Sequence, residues 1–377
     1  MLDLDFTEEQ EMLREMVRGV CAQHADGAVL RELEDDPDGV ARELWTQLAE
    51  LGLLGLVIPE EFGGAGSSLL DGVVLYEELG RALAPVPHLE SCVIVAGVLE
   101  LAGSPQQAQE WLPRIASGDA IVVPAWLEPG NGYAPRGVAL TAKVDGDELV
   151  LDGTKSHVRF ARAADRLVVL ARTGDAPEAI DLVLVDPLAA GVTLEQQHSL
   201  AADTQYRVRF ESVRVPLADR IGDPGTGWTT WLRAMEPAMV LVAALANGGA
   251  EYALEITNQY AKDREQFDKP LGAFQAISHY LADARTNVDG SKLLTYEAAW
   301  AASTGRPLRR LAPMAKLFAG NTYQEVTAMA QQVFGGVGFT LEYEIQLYFR
   351  RAKQLQISWN DTRRCEELIA EVVLAST

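Results

Sequence analysis

The chain has 377 residues, 48% of them hydrophobic and 23% charged, ordinary values for a globular protein of two or three domains. Its net charge of −22 repels phosphate backbones and argues against nucleic-acid binding, although a few local cations can still hold a phosphorylated small ligand. Cys21, Cys92 and Cys365 form no CxxC pair, and His24, His88, His157, His198 and His279 form no i, i+4 pair; free thiols and no metal site are expected. Only the first and last few residues look disordered. The start, MLDLDFTEEQEML, lacks the basic region and apolar core of a signal peptide, and no apolar run approaches the length needed to span a bilayer. A cytoplasmic protein without membrane contact is expected.

Residues 1–118 read as helices. Thr7 with Gln10 forms a capping-box pattern, and Leu13, Met16, Val17 and Val20 follow at helical spacing. A second helix is predicted near Glu43–Leu51. The segment Leu51–Gly66 then breaks the pattern with Pro59, Gly63, Gly64 and Gly66, so it reads as a buried loop. Helical periodicity resumes over Leu69–Leu83 and Leu89–Ala102. Residues 119–220 read as strands, beginning with the apolar run Ala120–Trp126. Ala139–Val144 and Glu148–Leu151 flank the turn Asp145–Gly146–Asp147 as a hairpin. Short strands at this spacing predict a small β-barrel or sandwich. Residues 221–377 return to helix. Phe274, Ile277, Leu281, Ala284 and Val288 make one buried stripe, which Gly305–Arg306–Pro307 ends. Two more helices follow, separated by the glycine-rich Phe334–Phe339. The order defines an α+β, mostly α chain with strands between two helical regions. Broad apolar helix faces also suit an oligomer.

Two segments carry chemical potential. Arg264, Gln266 and Phe267 lie close together; a fixed guanidinium beside an amide and an aromatic clamps a pyrophosphate and covers a ring. The plain alternative is a helix end whose Arg caps carbonyls and whose Phe packs inside. Gln332, Gly335 and Gly336 form a glycine-rich loop that lets a backbone approach a ligand closely, or simply breaks a helix.

Together, in this order, these segments resemble the acyl-CoA dehydrogenase family, whose R-x-Q-F and Q-x-x-G-G motifs they match. The basic stretch Arg350-Arg351-Ala352-Lys353, the loop Gly55–Gly66, the helix Glu77-Glu78-Leu79-Gly80 and the hairpin Asp152-Gly153-Thr154-Lys155 extend the resemblance over essentially the whole chain. It implies a helical domain, a β-barrel and a C-terminal four-helix bundle. It also implies FAD, acyl-CoA substrates, α,β-desaturation, dimers of dimers and an electron-transfer flavoprotein as acceptor. In the family the FAD is shared across an interface, and the Arg/Gln/Phe segment and Gln–Gly–Gly loop serve the adenosine and pyrophosphate end bound by the neighbouring subunit.

The ring-binding group departs from that pattern. The family's T-E-P-x-x-G-S loop reads Leu127-Glu128-Pro129-Gly130-Asn131-Gly132-Tyr133, and leucine donates no hydrogen bond. The W-I-T segment reads His157-Val158-Arg159. Trp359 stands at the usual position of the catalytic Glu. Asp361 lies two residues on, and Glu236 lies two residues from Ala238, the alternative base position, about 200° round a helix. Glu90 is a third candidate base, because a few relatives acting on cyclic acyl groups use an acidic residue near this point. The leading expectation is a partner subunit lending Arg264, Gln266, Phe267, Gln332, Gly335 and Gly336 to an FAD shared with a second, catalytically complete acyl-CoA dehydrogenase subunit, as in heteromeric actinobacterial enzymes for steroid side chains. The alternatives are a self-contained dehydrogenase with a non-standard carboxylate base, and a non-catalytic scaffold.

Overall fold

The computed structural model describes residues 6–375; the termini expected to be disordered lie outside the described residues. Six helices come first: α1 (Glu8–His24), α2 (Gly27–Glu32), α3 (Arg42–Glu50), α4 (Leu69–Arg81), α5 (Ala96–Ala102) and α6 (Pro105–Ser117). The Thr7–Gln10 capping box forms as read: the Gln10 N–H donates to Thr7 Oγ1 at 3.2 Å, and the Thr7 N–H to Gln10 Oε1 at 3.0 Å. The short α2 was not foreseen, although its N-cap Asp26, which accepts from Ala28 and Val29 N–H at 2.9 Å, is an ordinary start signal. The periodic stretch from Leu89 begins with a π-helical turn, Leu89–Val95, before α5.

Eight strands follow: β1 (Val122–Ala125), β2 (Thr141–Asp145), β3 (Glu148–Arg159), β4 (Arg166–Arg172), β5 (Ile180–Val185), β6 (Val192–Gln197), β7 (Gln205–Pro216) and β8 (Arg220–Ile221). They form one sheet in the order β6-β7-β3-β2-β4-β5-β8, with β1 parallel to β4. Among the described residues no ladder joins β6 to β8, so the expected barrel is open along that edge. Asp145 pairs with Glu148, leaving Gly146–Asp147 as a two-residue hairpin turn. Register shifts near Asp152 and at Ser156–His157 interrupt the β3–β7 ladder. The second brings Arg159 to the strand's end, against the N-terminal helices.

The C-terminal region holds α7 (Gly227–Asp263), the small hairpin β9 (Glu265–Gln266) and β10 (Lys269–Pro270), then α8 (Gln275–Ser303), α9 (Leu311–Phe334), α10 (Ile345–Ile357) and α11 (Thr362–Ala375). Three helices, not two, follow Pro307. The unforeseen break before α11 uses neither glycine nor proline: Trp359 and Asn360 take left-handed φ values of 54° and 74°. By length and composition α7 contains a window apolar enough to cross a bilayer, contrary to the reading of the bare sequence. That window is 72% buried within the fold, as befits the central helix of a bundle. The predicted α8 stripe is buried at Ala284 and Val288, but Phe274, Ile277 and Leu281 remain partly exposed.

Two glycines set the crossing of α4 and α7. A Cβ on Gly248 would meet the Glu77 carbonyl oxygen at 1.8 Å, and one on Gly80 would meet the Leu245 carbonyl oxygen at 2.1 Å, so backbone packs on backbone. Beside this crossing, buried Glu77 and Glu78 are satisfied by ion pairs from α1, Arg14 to Glu77 at 2.7 Å and Arg18 to Glu78 at 2.8 Å. The Tyr296 hydroxyl also donates to Glu77 at 2.7 Å. Gly248→Ala is expected to lower stability by about 3 kcal/mol, measured as a shift in the urea unfolding midpoint.

His88 is sealed in the core between the Tyr76 hydroxyl, 2.8 Å from Nδ1, and the Leu53 carbonyl, 3.0 Å from Nε2. Burial pulls its pKa down from 6.5 to about 4. Below pH 6.5 the unfolded chain therefore takes up a proton that the folded chain refuses. Stability should fall by ~3 kcal/mol as pH drops from 6.5 to 4, with no contribution from this group above that window. Denaturation midpoints across this range should show a shallower slope in His88→Gln than in wild type.

Candidate functional site

The residues singled out from sequence gather in two places. The first is one end of the helical bundle. Tyr260, one turn before the end of α7, stacks on Phe334 at the end of α9, with centroids 4.2 Å apart, and Tyr343 closes on both rings edge-on. This aromatic joint brings the Arg264–Pro270 hairpin and the Gly335–Gly336 loop to the same end of the bundle. Arg264, Gln266, Gln332, Gly335 and Gly336 are all exposed. Among the described residues the Arg264 guanidinium has no ion-pair partner. Phe267, at the hairpin tip, is 87% exposed. Phe267 and Asp268 both take left-handed φ values, 53° and 62°, a backbone that non-glycine residues adopt at a cost. Gly335 sits at φ 65°, ψ −143°, a conformation open essentially to glycine. A Cβ on Gly335 or Gly336 would meet nothing within 4 Å, so their faces lie open. The reading of Phe267 as a core residue does not hold: among the described residues its ring meets Phe274 edge-on with centroids 6.2 Å apart, and nothing else covers it. Phe339 and Leu341, on the adjoining loop, are also largely exposed.

The second place is a cleft of about 300 Å³ between the sheet and α10, lined by Trp126, Leu127, Tyr133, His157, Arg159 and Trp359 among others. Trp126 and Trp359 lie nearly parallel, 6.2 Å apart, with Trp231 and Tyr133 packed on Trp126. Arg350 and Lys353 add positive charge to its wall. The loop bearing Leu127 and Tyr133 is anchored by Glu128. Its buried carboxylate accepts the Ala139 and Leu140 N–H groups at 3.0 Å and Lys155 Nζ at 2.7 Å. Burial holds Lys155 down at about 8 despite this partner. The loop is thus in place, but its donors are gone or committed: Leu127 has none, and the Tyr133 hydroxyl donates to the Ile357 carbonyl. Arg159 turns from the cleft to Glu90, with Nη1 2.9 Å from Oε1, and to Asp203, with Nε 3.3 Å from Oδ2.

The candidate bases do not converge on this cleft. Asp361 caps α11, accepting the Arg364 N–H at 2.8 Å. Glu236 is half-buried on α7, and burial raises its pKa against the pull of Arg309 and Arg233. Ala238 is fully buried. Glu90 lines a separate inner cavity with Tyr76, His88 and Tyr323. Burial pushes its pKa up and Arg159 offsets this only in part. Asp203 shifts the other way: burial would raise it, but Arg159, Arg351 and the hydrogen bonds from Ser199 and Gln205 hold it low. Trp359, at the position where a carboxylate was sought, fills the cleft wall with an indole whose Nε1 has no hydrogen-bond partner. Asp203 and the Tyr260–Phe334 joint escaped the sequence reading, and Arg351 entered it only as part of the basic stretch, without a partner. Each gains its partners from distant elements, and no spacing rule reports that.

Helical regions on either side of an eight-stranded sheet, with a cleft walled by indoles between the sheet and α10, define the class of the protein. Comparison with known proteins gives the class a name. The N-terminal, middle and C-terminal domain patterns of acyl-CoA dehydrogenases match residues 7–119, 125–213 and 225–359. A probable acyl-CoA dehydrogenase of Bacillus subtilis, YngJ, is 31% identical over 94% of this chain and 95% of its own length. A crystal structure of the ChsE4-ChsE5 complex from Mycobacterium tuberculosis superposes with a TM-score of 0.90 at 30% identity, covering 100% of both chains. A structure described as the electron transferring flavoprotein of Acidaminococcus fermentans superposes at 0.91 with 28% identity, covering 99% of this chain and 100% of that one. The chain belongs to the acyl-CoA dehydrogenase family, whose members are FAD-dependent oxidoreductases.

Because Phe267 is bare, Phe267→Ser should change the stability of the isolated chain by no more than about 0.5 kcal/mol, read from its thermal unfolding midpoint.

Proposed function

We propose that this chain is a subunit of a heteromeric acyl-CoA dehydrogenase, and that it lends the adenosine and pyrophosphate half of an FAD site to a second, catalytically complete subunit. The observation that carries the reading is Phe267, held almost fully exposed on a strained two-residue turn beside exposed Arg264. A bulky aromatic on a costly turn, with no cover among the described residues, is explained by a partner that covers it. Gln332 and the open Gly335–Gly336 backbone lie at the same end. These residues fit the phosphate-bearing half of FAD: the Arg264 guanidinium pairs with pyrophosphate oxygens, the Gln266 and Gln332 amides bond polar edges, and the two glycines admit close backbone approach. Phe267 shields the ligand from water.

The other half does not fit. A flavin ring needs hydrogen-bond donors at its polar edge. Leu127 offers none, the Tyr133 hydroxyl is committed to Ile357, and Arg159 is committed to Glu90 and Asp203. No desaturation step is therefore assigned to this chain's own cleft, and a second copy of the chain would repeat the deficiency. That favours a different partner, one that would supply the carboxylate base and hold the flavin ring, whose chemistry would be hydride acceptance. Structural similarity to a protein described as the ChsE4-ChsE5 complex supports the heteromer. An electron-transfer flavoprotein as acceptor, and a cytoplasmic setting, complete the proposal.

The test is the visible spectrum of the purified chain, alone and with a complete dehydrogenase subunit, with FAD quantified per chain. The isolated chain is expected to be colourless and to gain flavin only in the heteromer. A yellow, near-stoichiometric isolated chain would refute the proposal. In the heteromer, Arg264→Ala should weaken FAD retention by about 10- to 100-fold, the worth of one charge-assisted contact; unchanged flavin content would remove Arg264 from the site.

A further inference from the structure

Arg351, on α10, lies between two acids and touches neither. It lines two inner cavities, one of about 40 Å³ shared with Glu90, Arg159 and Tyr323, and one of about 20 Å³ shared with Arg159 and Asp203. Among the described residues it forms no ion pair, and its buried Nε has no hydrogen-bond partner. Burial lowers its pKa, and Asp203 gives the largest opposing pull. The attraction is present without the contact, and a polar pair held apart in this way is the ordinary setting for a bridging water.

Two more groups on the larger cavity are in the same condition. Glu90 is 1% exposed and Tyr323 0% exposed, and Glu90 Oε2 and the Tyr323 hydroxyl are both buried without a hydrogen-bond partner. Both side chains are pinned. The other carboxylate oxygen of Glu90 holds Arg159 at 2.9 Å. Tyr323 is pressed on α7, where a Cβ on Gly249 would lie 2.5 Å from its hydroxyl. Buried polar atoms left without partners are costly, the charged ones most of all. Three of them on the lining of one small cavity point to something that satisfies all three.

Charge and size say what it is. Arg159 and Arg351 balance Glu90 and Asp203, so no net charge is left to hold an ion. Water donates to Glu90 Oε2 and also accepts from the Tyr323 hydroxyl and Arg351 Nε, whereas a halide only accepts and a metal cation does neither. Each water needs roughly 10–15 Å³ of such space, so the larger cavity takes about two or three and the smaller about one.

We propose that the two cavities are a water-binding site: a small cluster joins Arg351 Nε, the Tyr323 hydroxyl and Glu90 Oε2 in the larger, and a further water bridges Arg351 to Asp203 in the smaller. Through them α10 is tied to the π-helical turn at Leu89–Val95 and to the loop before β7. The proposal is independent of the partner-subunit reading.

The test is a crystal structure of the full-length chain at a resolution that shows ordered water. Density is expected within about 2.6–3.2 Å of all three atoms, and between Arg351 and Asp203. Cavities that are well ordered and empty overturn the proposal. So does a direct pair of Arg351 with Glu90 or Asp203, or a peak that anomalous scattering identifies as an ion. Tyr323→Phe, which removes only the hydroxyl, is expected to lose a water from the larger cavity and to keep the bridge to Asp203; an unchanged cluster overturns the three-way arrangement. Oxygen-17 relaxation dispersion gives the same reading in solution without crystals. It should count fewer long-lived waters in Tyr323→Phe than in wild type, with circular dichroism confirming the fold, and an equal count in the folded variant overturns the site.

Discussion

The buried contact of Arg159 with Glu90 and Asp203 ties together the parts of this molecule that sequence places far apart. Glu90 belongs to the N-terminal helices, Arg159 to the end of a central strand, and Asp203, through Gln354, to the C-terminal helices. Charges this deep hold together only when each meets its complement. The π-helical turn at Leu89–Val95 and the left-handed backbone at His157 and Phe160 are local irregularities that flank these contacts. The two acids respond differently because their surroundings differ. Asp203 lies between two guanidiniums and several donors, whereas Glu90 pairs with Arg159, feels Arg351 more weakly and keeps a bare second oxygen.

The opposite end of the bundle works by exposure. There the stack of Tyr260 on Phe334 fixes the base of two projecting loops, which carry exposed Arg264, Gln266, Phe267, Gly335 and Gly336. The contrast between a closed cleft and an open end is the strongest physical argument that this chain acts on a ligand it does not hold alone. A self-contained enzyme would need donors free at the ring.

Backbone contact between α4 and α7 makes this division possible. With Gly80 and Gly248 letting the two helices touch, the N-terminal helices press close enough for Glu77 and Glu78 to be neutralised from α1 and for His88 and Glu90 to enter the core. The Leu127–Tyr133 loop is kept in register by a buried Glu128–Lys155 pair even though its outward donors have changed. The frame of the family's site survives, and its ring-binding donors do not.

The sequence by itself determined the order of helical, strand and helical regions, the Thr7 capping box, the β2–β3 hairpin and the family. These depend on periodicity, capping and short-range spacing, which one chain displays directly. It also located the Arg264 and Gly335 segments, because their motifs are contiguous. Only the tertiary structure decided what Arg159 and Glu90 are to each other, that Asp361 is a helix cap, that α7 is the core of a bundle rather than a membrane span, and that Phe267 is uncovered. Each of those depends on which distant surface a side chain meets, and burial and pairing are properties of the folded arrangement. Trp359 gave no sign of the left-handed turn before the last helix, and Asn360, a residue type that accepts that backbone, is too weak a signal without glycine or proline beside it.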